Sequence, residues 1–195
     1  MTRPDRTVWF LTHPQVAVDP DTPVPQWELS AVGRGRAAAL AGAPFLERVD
    51  SVWSSAEVKA VRTAELLAGD LPRFVRDDLG ENDRSATGFV PPEEFEGLAD
   101  AFFARPQESV RGWATAADEQ HRIVAAVEAV LADPRAGERD LVIVAHGGVG
   151  TLLLCHLLGE PITRRRDQPG QGHYFALDRD TRAVRHTWRP LEDLR

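Results

Sequence analysis

The stretch Leu141-Val142-Ile143-Val144-Ala145-His146-Gly147-Gly148 decides how this chain folds. Five apolar residues in succession, three of them β-branched, read as a strand buried on both faces. A histidine and two glycines stop the run. Val149 to Leu158 follows as an apolar helical pattern closed by Gly159. A strand, a tight glycine turn and a helix place His146 at the carboxyl edge of a sheet, beside the unpaired N–H groups of a helix start. That is where α/β proteins bind anions and do chemistry.

Toward the N-terminus, Asp133-Pro134 separates this strand from a helix read within Glu108 to Leu131, strongest from Ala116 on. Pro91-Pro92 opens an earlier helix that runs to about Ala104 and is closed by Arg105-Pro106. Thr7 to Leu11 is a β-rich run ending at Thr12-His13-Pro14, because proline closes a strand. After a loop rich in proline and aspartate, Ser30 reads as the N-cap of an alanine-rich helix to about Ala41. Val49 to Trp53 is a short strand. Ser54, with Glu57 three residues later, reads as a capping box opening a helix to about Ala68. On that helix Val58, Val61, Leu67 and Ala68 are assigned to the core, and Lys59 and Arg62 to a shared second face. Arg73 to Val75 is a further strand candidate that feeds the acidic loop Asp77 to Asp83.

Beyond Gly159, Thr163-Arg164-Arg165-Arg166 and a glycine-rich turn lead to two runs, His173 to Leu177 and Ala183 to Trp188, read as a closing hairpin. Strands alternating with helices imply an α/β three-layer sandwich, a mostly parallel central sheet with helices on both faces. No internal repeat and no linker divides the chain, so residues 1–195 are read as a single domain.

With 43% hydrophobic residues, 27% charged residues and a net charge of −7, the composition is that of a soluble globular protein. The acidic balance argues against nucleic-acid binding, and no basic amphipathic or bilayer-length apolar segment suggests a membrane. Arg3 and Arg6 precede a short apolar run with no small-residue cleavage site, so no signal peptide is read. Cys155, the single cysteine, lies in an apolar helical run and is read as a core residue in a reducing compartment, the cytoplasm. Of 23 basic residues, Lys59 alone is lysine.

Parallel strands share one carboxyl edge, so His13 and His146, each directly after a strand, meet there. Lys59, one turn into a helix, and Glu81, in the loop after the next strand, point to the same edge. Two imidazoles, a carboxyl group and cations without clustered metal ligands suggest phosphoryl transfer. A neutral imidazole attacks phosphorus, fixed positive charge and N–H groups hold the oxygens, and a carboxylic acid protonates the departing oxygen. No zinc spacing and no P-loop appear, and Gly147-Gly148-Val149-Gly150 lacks the full dinucleotide pattern. No metal or other cofactor is called for.

Several ordered segments carry a family resemblance that covers nearly the whole chain. They are Leu11-Thr12-His13-Pro14, for a strand with Arg-His-Gly, and Leu29-Ser30-Ala31-Val32-Gly33, for Leu-Thr-x-x-Gly. Ser54-Ser55-Ala56-Glu57-Val58-Lys59-Ala60-Val61-Arg62-Thr63-Ala64 stands for Ser-Ser-Pro-Leu-x-Arg-Ala-x-Gln-Thr-Ala. Leu79-Gly80-Glu81, Glu108-Ser109 and His146-Gly147-Gly148 complete the set. In this order they resemble the histidine phosphatase superfamily, in its phosphoglycerate-mutase-like branch. The resemblance implies His13 as the phosphate-accepting nucleophile, His146 as the second pocket histidine, Gly147 as a backbone donor to phosphate and Glu81 as the general acid.

Against the family pattern, Thr12 and Lys59 replace both phosphate-gripping arginines, Pro14 replaces a glycine and Arg62 a glutamine. Lysine for arginine exchanges a planar fork for a mobile point charge. Each lost charge-assisted hydrogen bond is worth roughly 1.5–3 kcal/mol. Thr12, Lys59, Arg62 and Gly147 are the candidate phosphate contacts, with Arg164 to Arg166 as further sources of charge and Asp19 as a further pocket-lining candidate. His121, His156, His173 and His186 are read as structural or exposed.

The resemblance therefore implies metal-independent hydrolysis of a small phosphomonoester through a phosphohistidine. A mutase fits less well, since no large insertion is evident to cap a phosphoglycerate. The alternative is an impaired member that binds an anionic metabolite or a partner protein. The partner expected is a small phosphorylated molecule, with monomer and homodimer both open.

Overall fold

A computed structural model describes residues 5–195, so Arg3 and the reading of a leader there lie outside it. The organising stretch forms strand β4, Asp140–Ala145, buried at every position. With β1 (Thr7–Thr12), β2 (Val49–Ser55), β3 (Arg73–Arg76), β5 (His173–Asp178) and β6 (Val184–Pro190) it builds one sheet in the order β3-β2-β4-β1-β5-β6. β3, β2, β4 and β1 run parallel, and the closing hairpin adds β5 and β6 antiparallel beside β1.

The sheet is covered on both faces, as the alternation along β4 requires. Leu141, Ile143 and Ala145 share a core with Phe102 and Phe103 of α3 (Pro92–Ala104), Ile123 and Val127 of α4 (Ala116–Ala132), and Val149 and Leu152 of α5 (Gly147–Leu157). Val142 and Val144 face the opposite core, built by Ala60, Ala64 and Leu67 of α2 (Val58–Ala68) together with Leu40 and Leu191. Each fully buried aliphatic side chain contributes about 1.5–3 kcal/mol. An alanine at Ile143 would lose that and leave a void between two helices.

Most elements fall where the patterning puts them, with two local corrections. Helix α1 (Ala31–Ala38) is capped by Ser30, whose Oγ accepts the Gly33 N–H at 3.0 Å. Gly33 has no room for a Cβ, which would strike the Gln15 carbonyl oxygen. The capping box expected at Ser54 does not form: β2 continues through Ser55, and Glu57 is the N-cap of α2, its side chain accepting no capping N–H of that helix. The second correction concerns faces. Lys59, Ala60, Thr63, Ala64, Leu67 and Ala68 are the buried residues of α2, whereas Val58 and Val61 are half-buried and Arg62 is exposed. Val58 and Val61 therefore do not enter the core, and Lys59 and Arg62 do not share a face. Among the described residues no helix is long and apolar enough to cross a membrane, and Cys155 is buried in α5.

Candidate active site

The parallel strands deliver their next residues to one edge. His13 follows β1, and its backbone N–H donates to the Ala145 carbonyl at 3.2 Å, tying the ends of β1 and β4 together. His146 follows β4 as the N-cap of α5. The two rings stand edge to face, centroids 5.2 Å apart. His146 is fully buried and His13 is 8% exposed.

The hydrogen bonds define the ring atoms. His13 Nδ1 lies 2.9 Å from the Pro14 carbonyl oxygen. A carbonyl only accepts, so Nδ1 carries the proton and Nε2 keeps its lone pair. Burial first, then the charges of His146 and Lys59, push the His13 imidazolium down to about 3, so the ring is neutral near pH 7. His146 Nε2 lies 2.6 Å from Ser55 Oγ and 3.4 Å from Glu57 Oε1, while its Nδ1 is buried and has no partner among the described residues. Burial lowers the pKa of His146, and Glu57 and Glu81 oppose it.

Glu81 reaches the same edge from the short 3-10 turn Asp77–Leu79 after β3. Its carboxylate accepts the N–H groups of Asn82 (3.0 Å), Gly148 (3.1 Å) and Val149 (3.0 Å). It thus satisfies two of the first-turn N–H groups of α5, where a helix favours negative charge. Burial would raise its pKa, but Arg84, His146 and the Asn82 N–H outweigh burial and lower it. Gly148 is required here, because a Cβ would meet Asn82 Nδ2 and lie 2.7 Å from Glu81 Oε1. At Gly147 the missing Cβ lets the Gln168 amide close over the helix start.

Lys59 is buried, and its ammonium donates to the Val24 carbonyl at 2.9 Å and pairs with Glu57. Glu57 also accepts the Glu81 N–H at 2.7 Å. Burial would raise the Glu57 carboxyl; the charges of His146 and Lys59, with the bonds from Lys59 and the Glu81 N–H, outweigh it and bring it down to about 2. Thr12 Oγ1 is fully engaged: it lies 2.6 Å from Gln168 Oε1, accepts the His173 N–H at 3.0 Å and lies 3.2 Å from the His173 carbonyl. It fills the space after β1 rather than presenting a free hydroxyl.

Several expected contacts are not assembled. Arg62 is half-exposed and held by Glu65 (2.8 Å) and Glu28 (3.5 Å). Arg164 pairs with Asp100 (2.6 Å) and Glu96, Arg166 pairs with Glu160, and Arg165 is exposed. Local carboxylates satisfy the guanidinium groups of Arg62, Arg164 and Arg166 where they stand. Asp19 is also exposed, its carboxylate spent on Thr22 Oγ1 (2.7 Å) and the Asp21 N–H (3.1 Å) of its own turn.

Sequence reading missed four participants. Ser55 and Glu57 lie inside the third motif, and Glu57 stands where that motif has leucine; its reading as a helix cap concealed it. Gln168 comes from a loop with no pattern. Arg84 acts electrostatically on both Glu81 and His146. Its guanidinium carbon sits 5.0 Å and 5.7 Å from the Phe95 and Trp113 ring centroids, a cation–π placement. Among the described residues, no group of three or more His, Cys, Asp or Glu side chains is placed to hold a metal ion. The edge therefore offers one nucleophilic imidazole nitrogen, a second buried imidazole, a carboxyl group and near-balanced charge, with Lys59 and Arg84 set against Glu57 and Glu81.

Comparison with known proteins places this geometry. A family model described as histidine phosphatase superfamily (branch 1) matches residues 8–183. No curated protein matches significantly. Among solved structures, Bacillus stearothermophilus YhfR is similar at a TM-score of 0.75 and 20% identity, over 93% of this chain and 94% of that one. A mycobacterial glucosyl-3-phosphoglycerate phosphatase complexed with inorganic phosphate aligns at 0.70 and 23% identity, over 94% of each chain. A putative α-ribazole-5′-P phosphatase from Escherichia coli aligns at 0.70 and 19% identity, over 95% of each. At these identities the solved structures show the shared fold.

Proposed function

Because the chain belongs to the histidine phosphatase superfamily, branch 1, we propose that it hydrolyses a small phosphomonoester, without a metal, through a phosphohistidine on His13. The observation that carries this reading is the His13 hydrogen bond to the Pro14 carbonyl, which leaves Nε2 bare on a neutral, buried ring. Nε2 attacks phosphorus as the ester oxygen departs, and water then cleaves the N–P bond to release phosphate and free His13. Glu81 is ionised at rest. An arriving dianionic ester raises its pKa by like-charge repulsion, so that it takes up a proton and passes it to the leaving oxygen. Lys59, Arg84 and the start of α5 supply positive potential. The resemblance to proteins named as phosphatases favours hydrolysis over a mutase reaction. The reading places the enzyme in the cytoplasm with a small phosphorylated molecule as its partner.

A second reading, an impaired member that binds an anionic metabolite, is favoured by one observation. Neither Thr12 nor Lys59 is free to grip phosphate, because Gln168 and His173 hold the first and Glu57 and Val24 hold the second. A panel of phosphomonoesters assayed without metal, with His13→Ala alongside and acid-labile phosphate sought on the protein, separates the two. Turnover that disappears in His13→Ala supports the phosphatase. Calorimetric binding of inorganic phosphate with no turnover of any ester supports the binder.

A further inference from the structure

We infer that Glu57 is a positioning residue that holds the neutral His146 proton on Nε2, so that an anion beside His13 is met by a His146 imidazolium donating from Nδ1. The inference rests on the reading that an anion binds at His13. It begins from a polar atom without a partner: His146 Nδ1 is buried, unbonded, and on a ring whose centroid is 5.2 Å from that of His13. The other nitrogen has two neighbours, Ser55 Oγ at 2.6 Å and Glu57 Oε1 at 3.4 Å.

A serine beside Nε2 is neutral in its demands, since a hydroxyl donates or accepts. With serine alone, the hydroxyl could donate to Nε2 and leave a proton on Nδ1, ready for an anion. A carboxylate only accepts, and Glu57 is ionised, so it favours a proton on Nε2. Neutral His146 then presents a bare lone pair on Nδ1, which repels an anion. An anion is accommodated when Nδ1 takes a proton from solvent, and the resulting imidazolium is stabilised on its far side by Glu57. Such a ring supplies on demand the charge that Thr12 does not carry and that Lys59 shares with Glu57. The titratable and charged groups facing His146 come from three segments: Glu57 and Lys59 after β2, Glu81 and Arg84 after β3, and the neutral His13 after β1. Glu57 and Glu81 favour the imidazolium; Lys59, Arg84 and burial oppose it.

The test is NMR of protein labelled with 15N at histidine, with His146→Gln to identify the resonances and sulfate, a dianion across pH 5–8, as probe. Wild type is expected to show Nε2–H and bare Nδ1 without ligand, and imidazolium at His146 when sulfate binds. Its sulfate affinity should rise about tenfold for each pH unit lowered, the signature of one linked proton. Glu57→Gln should remove both the tautomer preference and most of that slope, and Glu57→Asp should restore them. The same tautomer and slope in wild type and Glu57→Gln overturns the inference, as does sulfate bound to neutral His146 or no sulfate binding. Failure of the phosphatase reading shows separately, as absence of His13-dependent turnover with the tautomer result intact.

Discussion

Where β1 and β4 begin, Arg6, Arg179 and Arg182 line a cavity with Asp133, Glu138 and Asp180; where the same strands end, two imidazoles, one lysine, two glutamates and the nearby Arg84 meet. The first edge uses guanidinium groups as ties between loops. Arg179, 6% exposed, donates to the carbonyls of Gly137 and Arg139, and Arg182 pairs with Glu128. The second edge keeps its charged groups close to balance and its histidines uncharged. The chain is rich in arginine, yet, with Arg84 as the exception, the forks of Arg62, Arg164, Arg166, Arg179 and Arg182 are spent on architecture. A planar fork that binds two acceptors at once is suited to fixing a loop. A site whose net charge changes with one proton needs groups that titrate, and arginine does not. The difference separates residues that hold the fold from residues that act on a ligand, and substitutions at the two edges should sort accordingly.

The largest expected contrast pairs His13→Ala with Arg179→Leu. Removing the proposed nucleophile should lower phosphomonoester turnover at least about a thousandfold while leaving the unfolding midpoint in urea unchanged. Arg179→Leu should do the reverse. It leaves two part-buried carbonyls without their guanidinium donor and removes a packed side chain, at a cost of about 2–4 kcal/mol, with turnover per folded molecule intact. Loss of activity in folded Arg179→Leu, or of stability in His13→Ala near neutral pH, would break the separation.

Acid sharpens the same contrast. His13 has a folded pKa of about 3 against an ordinary 6.5, so between those values the unfolded chain binds the proton more tightly. Stability therefore falls as pH drops from about 6.5 toward 3, by several kcal/mol in total. Glu57, held down to about 2 from 4.5, contributes stability that is present above about 4.5 and lost as pH falls toward 2. Urea denaturation at a series of pH values should show His13→Gln losing less stability than wild type between pH 6.5 and 4. Parallel curves for the two proteins would count against a buried, neutral His13.

How far these features were legible follows from the range of the interactions that set them. Strand β4, the hairpin and the Ser30 cap depend on neighbours in sequence, and their patterns are visible there. The meeting of His13 with His146 follows from parallel strands sharing an edge, so topology places it before any coordinates exist. Charge pairing across loops does not follow in this way. Nothing local tells that Arg62 also turns to Glu28, that Gln168 takes the Thr12 hydroxyl, or that Arg84 lies over two rings. Glu57 shows the limit most clearly. A glutamate three residues after a serine satisfies the capping pattern, but two more residues of strand, Ser54 and Ser55, move the helix start to Glu57 itself and leave its carboxylate to Lys59 and His146.

The smallest expected effect tests whether lysine at position 59 belongs to the site's balance or merely tolerates it. Lys59 points its single ammonium at Glu57 and the Val24 carbonyl, and so has no fork with which to hold a second acceptor pair. Lys59→Arg keeps the charge and adds donors. If the guanidinium stays on Glu57 with one edge, the other edge can reach an anion beside His13. One partly formed charge-assisted hydrogen bond, about 1 kcal/mol, corresponds to roughly fivefold tighter inorganic phosphate binding, measured by calorimetry. Unchanged or weaker binding with stability retained would mean that Lys59 serves Glu57 alone. Its place would then be with the arginines of the opposite edge, as a tie rather than a ligand for anions.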